Sequence, residues 1–358
     1  MHIKEILIAW IFSSIALFAT AQQYTIDSLK ALLPNQQEDS NKVNILIKIT
    51  DQYTSLFDYE NALGFINLAL PLSQKISFKK GEGYCYLNKM FVEFYLYDNI
   101  KQATKDASIA LDIFRQINFK PGIAEAYKYM GIMKHYMGNW AEATMNNYEA
   151  IKLFEASGNL KEIAAGYAWL GFVYYWNEDY QQSFDASTKA IRLFDSLNHK
   201  GHAGECYIYL GNVYKVWKKY PKALWYDSIG LQMALLKNNP QAAANAYYSM
   251  GDIATAQAVS AVSQQAEEFY HKSLENFKLA NDPGGAGDCY ARLSEINTKL
   301  HQLAQAQSYA DSAMLFAKKV KFTDNLRFAY LAEAKVDSAK GDFKQAFEAY
   351  KNYIFLKR

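Results

Sequence analysis

The sequence predicts an all-α chain of about eight helical hairpins stacked in one dimension, and three observations predict it. First, "AYKYMG" at residues 126–131 returns as "GYAWLG" at 166–171, "CYIYLG" at 206–211 and "AYYSMG" at 246–251, a fixed interval of forty. Second, small residues follow these returns at set distances. Third, the dominant spacings are three, four and seven, which is the helical and not the strand period. A lone hairpin of two amphipathic helices cannot bury its apolar face. Stacked hairpins bury each other's, so the same residue types recur wherever the same contact recurs.

Residues 1–21 read as a secretory signal peptide. Lys4 supplies a short basic start, Ile6 to Phe18 is an apolar run interrupted only by Ser13 and Ser14, and Ala19-Thr20-Ala21 is a small-x-small cleavage site. The run is short for a bilayer span, which argues against a retained anchor. The mature chain is expected to begin near Gln22 and to be exported, to the periplasm or outside the cell. Residues 22–42 are expected to form a lead-in helix or linker.

Eight units follow over 43–358, with first helices expected to start near residues 43, 84, 124, 164, 204, 244, 287 and 327. In the first two, Ala62 and Ala69, then Ala103 and Ala110, stand seven apart. In the next three, Gly131, Gly171 and Gly211 are followed after twelve residues by Ala143, Ser183 and Ala223, and seven later by Ala150, Ala190 and Gly230. The sixth unit, anchored at Gly251, reaches Ala266 and Ser273 only after three extra residues, so "TAQAVSAVSQQ" (255–265) is expected to lengthen a helix or loop. The seventh carries Ala306 and Ala313, and the eighth Ala346.

An aromatic precedes the glycine slot by four: Tyr127, Tyr167, Tyr207, Tyr247, and by alignment Tyr290 and Tyr330. Small residues two turns apart let two helix backbones approach, while the rings fill the gaps beside them. Asp58, Asn99, Asn139, Asp179 and Asp342 share one slot and are expected to cap the second helices. Gly138 and Gly341 precede two of them, where a helix end favours a left-handed residue. "NFKPG", "NNP" and "NDPGG" are expected to break the chain between units.

The stretch "AEAYKYMGIMKHYMGNWAEATMNNYEAIKLF" (124–154) resembles the tetratricopeptide repeat family, with Tyr127, Met130, Gly131, Gly138, Ala143 and Ala150 at its signature positions. The resemblance runs from Val43 to the end. It is weaker in the first two units and in the last, where Glu333 and Ala334 replace the Leu-Gly pair. The typical repeat is about 34 residues, so a beat of forty implies longer helices.

The resemblance implies a right-handed superhelical solenoid whose first helices line an inner groove. By that alignment the groove carries Tyr95, Tyr129, Ile132, Tyr136, Trp169, Phe172, Tyr175, Trp176, Tyr209, Asn212 and Lys215. Asp252, Thr255, Glu295 and Thr298 follow in later units. Rings in a groove hold an extended peptide, or an apolar or sugar-like ligand, by stacking. The alternative is that the same rings pack between neighbouring helices.

Composition excludes several functions. Basic residues number 38 against 36 acidic, with no basic block longer than a pair, so neither a nucleic-acid partner nor a membrane surface is expected. Cys85, Cys206 and Cys289 fall in different units, the nearest two repeats apart, too far to bridge, and read as small buried side chains. There is no phosphate-binding glycine loop, nucleophile elbow or H-E-x-x-H, and the acidic residues form no paired motif, so no catalytic residue, metal or cofactor is expected. His199 and His202 in "HKGH" lack further ligands and read as a solvated turn. His135, beside Tyr136, reads as a groove or packing residue.

"DSLKALLPNQQEDSNKVNILIKITDQY" (27–53) looks like the opening of bacterial sensors in which an extracytoplasmic tetratricopeptide array precedes a membrane helix and a cytoplasmic histidine kinase or regulator. That resemblance would place a membrane and kinase portion beyond Arg358. The last turns are apolar at Tyr350, Tyr353, Ile354, Phe355 and Leu356, which is unusual for a capping helix. The expected function is an exported, non-catalytic binder of a protein, peptide or ligand, serving as the sensor part of a signal-transduction system. The alternative is a free periplasmic scaffold or an accessory subunit of an enzyme complex.

Overall fold

A computed structural model describes residues 24–56, 58–97, 99–197, 203–257, 264–320 and 323–356. The signal peptide expected over 1–21, His199 and His202, residues 258–263 of the insertion, and the final Lys357 and Arg358 lie outside these residues.

Among the described residues there is no strand. A helical lead-in over 24–32 and a short 3-10 turn, Leu33–Asn35, come first. Sixteen α-helices follow: α1 (Ser40–Ser55), α2 (Tyr59–Lys75), α3 (Lys79–Tyr95), α4 (Ile100–Gln116), α5 (Lys120–Tyr136), α6 (Trp140–Ala156), α7 (Leu160–Trp176) and α8 (Tyr180–Ser196), then α9 (Gly204–Val216), α10 (Tyr220–Leu236), α11 (Pro240–Gln257), α12 (Gln264–Leu279), α13 (Pro283–Lys299), α14 (Leu303–Val320), α15 (Thr323–Lys340) and α16 (Phe343–Phe355). Odd helices open each hairpin and even helices close it. Two 17-residue helices and two short turns make the forty-residue beat, as in α5 and α6. Each such helix is about 25 Å long.

The first helices start three to five residues before their sequence anchors, apart from α9. The Pro-containing breakers explain much of this. Pro121, Pro240 and Pro283 lie inside the first turn of α5, α11 and α13 rather than between units. Proline is tolerated there because the first-turn N–H groups have no intrahelical partner to lose. The insertion leaves α11 ending at Gln257 and α12 opening at Gln264.

Among the described residues, ten turn positions are left-handed. Gly138 (φ 75°) and Gly341 (φ 87°) take this conformation, and so do Ser77, Asn118, Glu178, Lys218, Asn238, Asn281 and His301, without glycine. The amide after each closes back on the helix, as in Asp179 N–H to Tyr174 O and Lys219 N–H to Tyr214 O, both 2.9 Å. Asp58, Asn99, Asp179 and Asp342 cap the helices that follow them by accepting an amide hydrogen bond. Asn139 does not, although its backbone takes the same conformation; nothing in the structure explains the difference. Asp39 and Asp282 cap α1 and α13 in addition.

The paired small residues are the seams of the hairpins. Ala62, Ala69, Ala103, Ala110, Ala143, Ser183, Ala190, Ala223, Ala266, Ser273 and Ala306 are fully buried. Where a serine takes the slot, its hydroxyl donates across the seam: Ser183 to Gly171 O at 2.7 Å and Ser273 to Ala244 O at 2.8 Å. The glycine anchors serve the same contact. A Cβ on Gly211 would lie 2.0 Å from Asp227 Oδ1, and one on Gly171 2.3 Å from Ser187 Oγ. The second helix therefore comes as close as a glycine allows.

The chain divides into two compact units, one ending at Glu162 and one beginning at Ile163. In the first, the lead-in is tied down by Ile26, fully buried with Ile49, Tyr53, Ile66 and Val92. Further along, Phe114 packs with Leu87, Leu111 and Ala126. In the second, Phe194, Cys206 and Leu210 form one core, and Tyr270, Phe277, Cys289 and Leu293 another. The last helix, α16, leaves a stripe open: Phe343 is 71% and Phe347 64% exposed, with Tyr350 and Ile354 on the same face.

Candidate functional site

The first-helix face of each unit builds its own cavities. On α3 the residues i, i+4, i+7 and i+11 are Tyr84, Asn88, Phe91 and Tyr95, which share one face because the helix turns once every 3.6 residues. With Asp51, Thr54 and Ser55 of α1, Tyr59 of α2, and Glu125 and Tyr129 of α5, they line a groove of about 800 Å³ in the first unit. Tyr95 stacks on Tyr59 with ring centroids 5.1 Å apart, and Tyr129 meets Phe91 edge-on at 4.9 Å. Such ring pairs hold the wall rigid and leave a stacking surface.

The polar groups of this wall are specific. The Asn88 amide donates to Asp51 Oδ1 at 2.9 Å. Burial raises the pKa of Asp51 against that bond, and burial also raises Glu125, opposed by Lys128. Lys128 is bonded to Glu162 at 3.0 Å, and its Nζ lies 4.8 Å from the centre of the Tyr129 ring.

In the second unit, Trp169, Phe172, Phe194 and Tyr209 line a cavity of about 420 Å³. Phe172 lies between Trp169 (4.8 Å) and Tyr209 (5.5 Å). Glu205 borders it, raised in pKa by its apolar surroundings and bonded by the Asn239 amide at 3.4 Å. A third cavity, of about 290 Å³, holds an ion network. Asp252 on α11 meets Lys215 of α9 at 3.1 Å and Arg292 of α13 at 3.4 Å, and accepts from the Tyr270 hydroxyl at 2.8 Å. Burial pushes the Asp252 carboxyl up, but Lys215 and Arg292 outweigh it and hold the pKa below the ordinary value. Lys335 of α15 reaches Glu295 at 2.7 Å and extends the network.

The expected groove residues therefore separate. Tyr95 and Tyr129 share the first-unit groove; Ile132 packs beside it, while Tyr136, half exposed, lies against Phe94 instead. Trp169, Phe172 and Tyr209 share the aromatic cavity. Trp176, 53% exposed, stands at its edge on Phe172, and Tyr175 lies between Trp176 and Tyr180. Lys215, Asp252, Thr255 and Glu295 line the third cavity, while Asn212 and Thr298 line none of the three. His135 is a packing residue: it is buried edge-on against Trp140 at 4.7 Å, and burial lowers its pKa to about 4. Cys85, Cys206 and Cys289 are buried free thiols.

Sequence reasoning missed Asp51, Asn88, Glu125, Tyr270 and Arg292. A signal was present. Asp51 and Asn88 are 37 residues apart, as are Lys215 and Asp252. Thirty-seven is one repeat less one helical turn, the step that joins facing positions of successive first helices. Among the described residues no group of three or more His, Cys, Asp or Glu could hold a metal ion, and no helix is long and apolar enough to cross a membrane.

No protein-family model matches the chain, and no curated protein matches its sequence. Solved structures do match. The chain is similar to the apo form of the quorum sensor NprR from B. thuringiensis, at 13% identity over 99% of each chain, with TM-score 0.72. It is similar to the Rap conjugation gene regulator of plasmid pLS20 in complex with a Phr peptide, at 12% identity over 94% of this chain and 95% of that one, TM-score 0.65. It is also similar to a STAND signal-transduction ATPase with a tetratricopeptide repeat sensor from Pyrococcus horikoshii, at 21% identity over 76% of this chain and 42% of that one, TM-score 0.56. At these identities the likeness is one of fold, and the fold is that of a tetratricopeptide-type helical repeat solenoid.

Proposed function

We propose that this chain is a non-catalytic receptor for an extended peptide, or an extended segment of a protein, held along its first-helix face. One observation carries the reading: on that face, aromatic rings alternate with fixed amides and ion pairs, as in Tyr84, Asn88, Phe91 and Tyr95 with Asp51. An extended peptide exposes a backbone donor and acceptor at every residue and a side chain on alternating sides. Rings supply area for the side chains, and a pre-bonded polar group such as Asn88 faces the backbone with little entropy left to lose. A structural neighbour solved with a bound peptide supports the same reading.

We further propose that the receptor is exported, with cleavage after Ala21, and acts as the sensing part of a signal-transduction system. The apolar run and small-x-small site at the N-terminus support export. The test uses the mature chain, residues 22–358. A randomised peptide library is passed over the immobilised protein, and retained peptides are measured by titration calorimetry. Specific retention, lost on Trp176→Ala or Tyr95→Ala while the melting temperature shifts by at most a few degrees, supports the receptor. Failure to retain any peptide sinks it. N-terminal sequencing of the secreted or periplasmic fraction tests export, and an intact Met1 there would count against it.

A further inference from the structure

We infer that the first-unit groove selects a cationic group of its peptide, a lysine or arginine side chain, seated between Asp51 and Glu125 over the ring of Tyr84. The inference rests on the peptide-receptor reading and names the chemistry of the ligand at that site. Asp51 comes from α1 and Glu125 from α5, flanking Tyr84 of α3 in the same groove. Neither carboxylate has an ion-pair partner among the described residues. Asp51 is bonded by a neutral amide, that of Asn88. The ammonium nearest Glu125, Lys128, is already bonded to Glu162. Glu125 and Glu162 thus share one ammonium, and Asp51 has only the neutral amide.

Lys48 and Lys80 also line the groove, exposed to solvent as Asp51 is, and neither pairs with these carboxylates. The Lys80 ammonium lies instead 4.7 Å from the centre of the Phe119 ring. The walls are aromatic as well. Tyr84, Phe91, Tyr95 and Tyr129 line it, ring faces attract a cation through their quadrupoles, and Lys128 over Tyr129 shows one such face already holding an ammonium. A neutral ligand would strip water from both carboxylates and return nothing, and an acidic one would be repelled, so the site rejects what it does not pair. Burial raises the pKa of both acids, so the preference strengthens as pH rises and they ionise.

The test uses the mature chain and a set of N-acetylated, C-amidated hexapeptides drawn from the retained pool. One position is varied among arginine, lysine, citrulline, norleucine and glutamate. Affinities are measured by fluorescence polarisation for the wild type, Asp51→Asn, Glu125→Gln and the double variant. We expect arginine and lysine peptides to bind at least about tenfold tighter than the citrulline and norleucine peptides at pH 7.5, and the glutamate peptide to bind weakest. The double variant should erase that gap, weakening the basic peptides and strengthening the neutral ones, because no charge is then stripped of water. On the wild type alone, the gap should narrow at pH 4, which keeps the inference testable if a variant fails to fold. Equal binding of basic and neutral peptides by the wild type would overturn the inference and leave the receptor intact. A gap that survives both neutralisations would also overturn it. No binding by any peptide would overturn the receptor and this inference together.

Discussion

Gly211→Ala adds one methyl group where the structure has no room for it. The new Cβ would stand 2.0 Å from Asp227 Oδ1, 2.7 Å from its Cγ and 3.2 Å from the backbone oxygen of Ala223. A carbon and an oxygen in contact sit at roughly 3.3 Å, so the carboxyl must retreat by about an ångström. Asp227 is fully buried and has no open space to enter, and the Ala223 oxygen moves only if α10 moves. Overpacking of this kind costs about 1–3 kcal/mol, against which alanine returns up to ~1 kcal/mol of helix propensity. The net expectation is a loss of about 1–2 kcal/mol.

Gly64→Ala is the control. It lies on an exposed face of α2 with nothing within 4 Å of its would-be Cβ, so the same substitution there should gain up to ~1 kcal/mol. Urea unfolding provides the assay. Cooperativity in repeat arrays breaks down between units, so far-UV circular dichroism is paired with tryptophan fluorescence, which includes Trp217 packed on Tyr214 at 5.5 Å in the second unit. Opposite shifts of the two midpoints are expected, with partial recovery in Gly211→Ala/Asp227→Ala. Equal stability of the two alanine variants would refute the reading of the glycine as a seam requirement.

Asp227→Asn tests the same carboxyl by pH. Neither oxygen accepts a hydrogen bond of good geometry, and burial raises its pKa to about 7, against the smaller pull of Ser249 and Lys215. The folded chain thus keeps a proton that the unfolded chain has already released, so this group's contribution is full below about pH 4 and lost as pH rises through 7. The asparagine variant should flatten the slope of urea midpoint against pH between those values. It should exceed the wild type at pH 8, by on the order of 1–4 kcal/mol. Trp169→Ala should cost about 2–4 kcal/mol of stability, because the ring packs 4.8 Å from Phe172. Trp176→Ala, at a half-exposed ring, should cost under about 1 kcal/mol and weaken peptide binding, the two read by melting and titration side by side. Lys218→Gly should stabilise by up to about 1 kcal/mol, since Lys218 holds φ 57° with a Cβ, and an unchanged denaturation midpoint would count against that strain. The thiols should resist a disulfide exchange reagent until urea unfolds the chain, because burial raises all three and Cys85 to about 12.

The helical hairpins were legible in the sequence because each rests on a contact repeated along the chain. Ala143 and Ala150, or Ser183 and Ala190, are small for the same reason in every unit, so the reason shows as a period. Gly138 and Asp342 announced their turns because a left-handed residue and a cap act within a few residues of themselves. Helix starts were displaced for an equally local reason: proline interrupts a helix interior yet suits a first turn, and Pro121 or Pro283 alone does not say which it occupies. The aromatic face was legible as a face, since Tyr129 or Trp169 needs only its own helix to fix its direction.

Which rings share a cavity was decided by the tertiary structure. Tyr129 joins Tyr95 while Tyr136 turns to Phe94, a choice made by the neighbouring hairpin. Asp51 and Glu125 read in sequence as unrelated surface acids, two repeats apart. They converge on Tyr84 because stacking carries each first helix past its neighbour by one repeat less one turn, and no local rule holds both positions at once. Short-range regularities fix the hairpins; the electrostatics of the groove arise only when successive helices bring distant charges onto one wall, where leaving them unpaired has a cost.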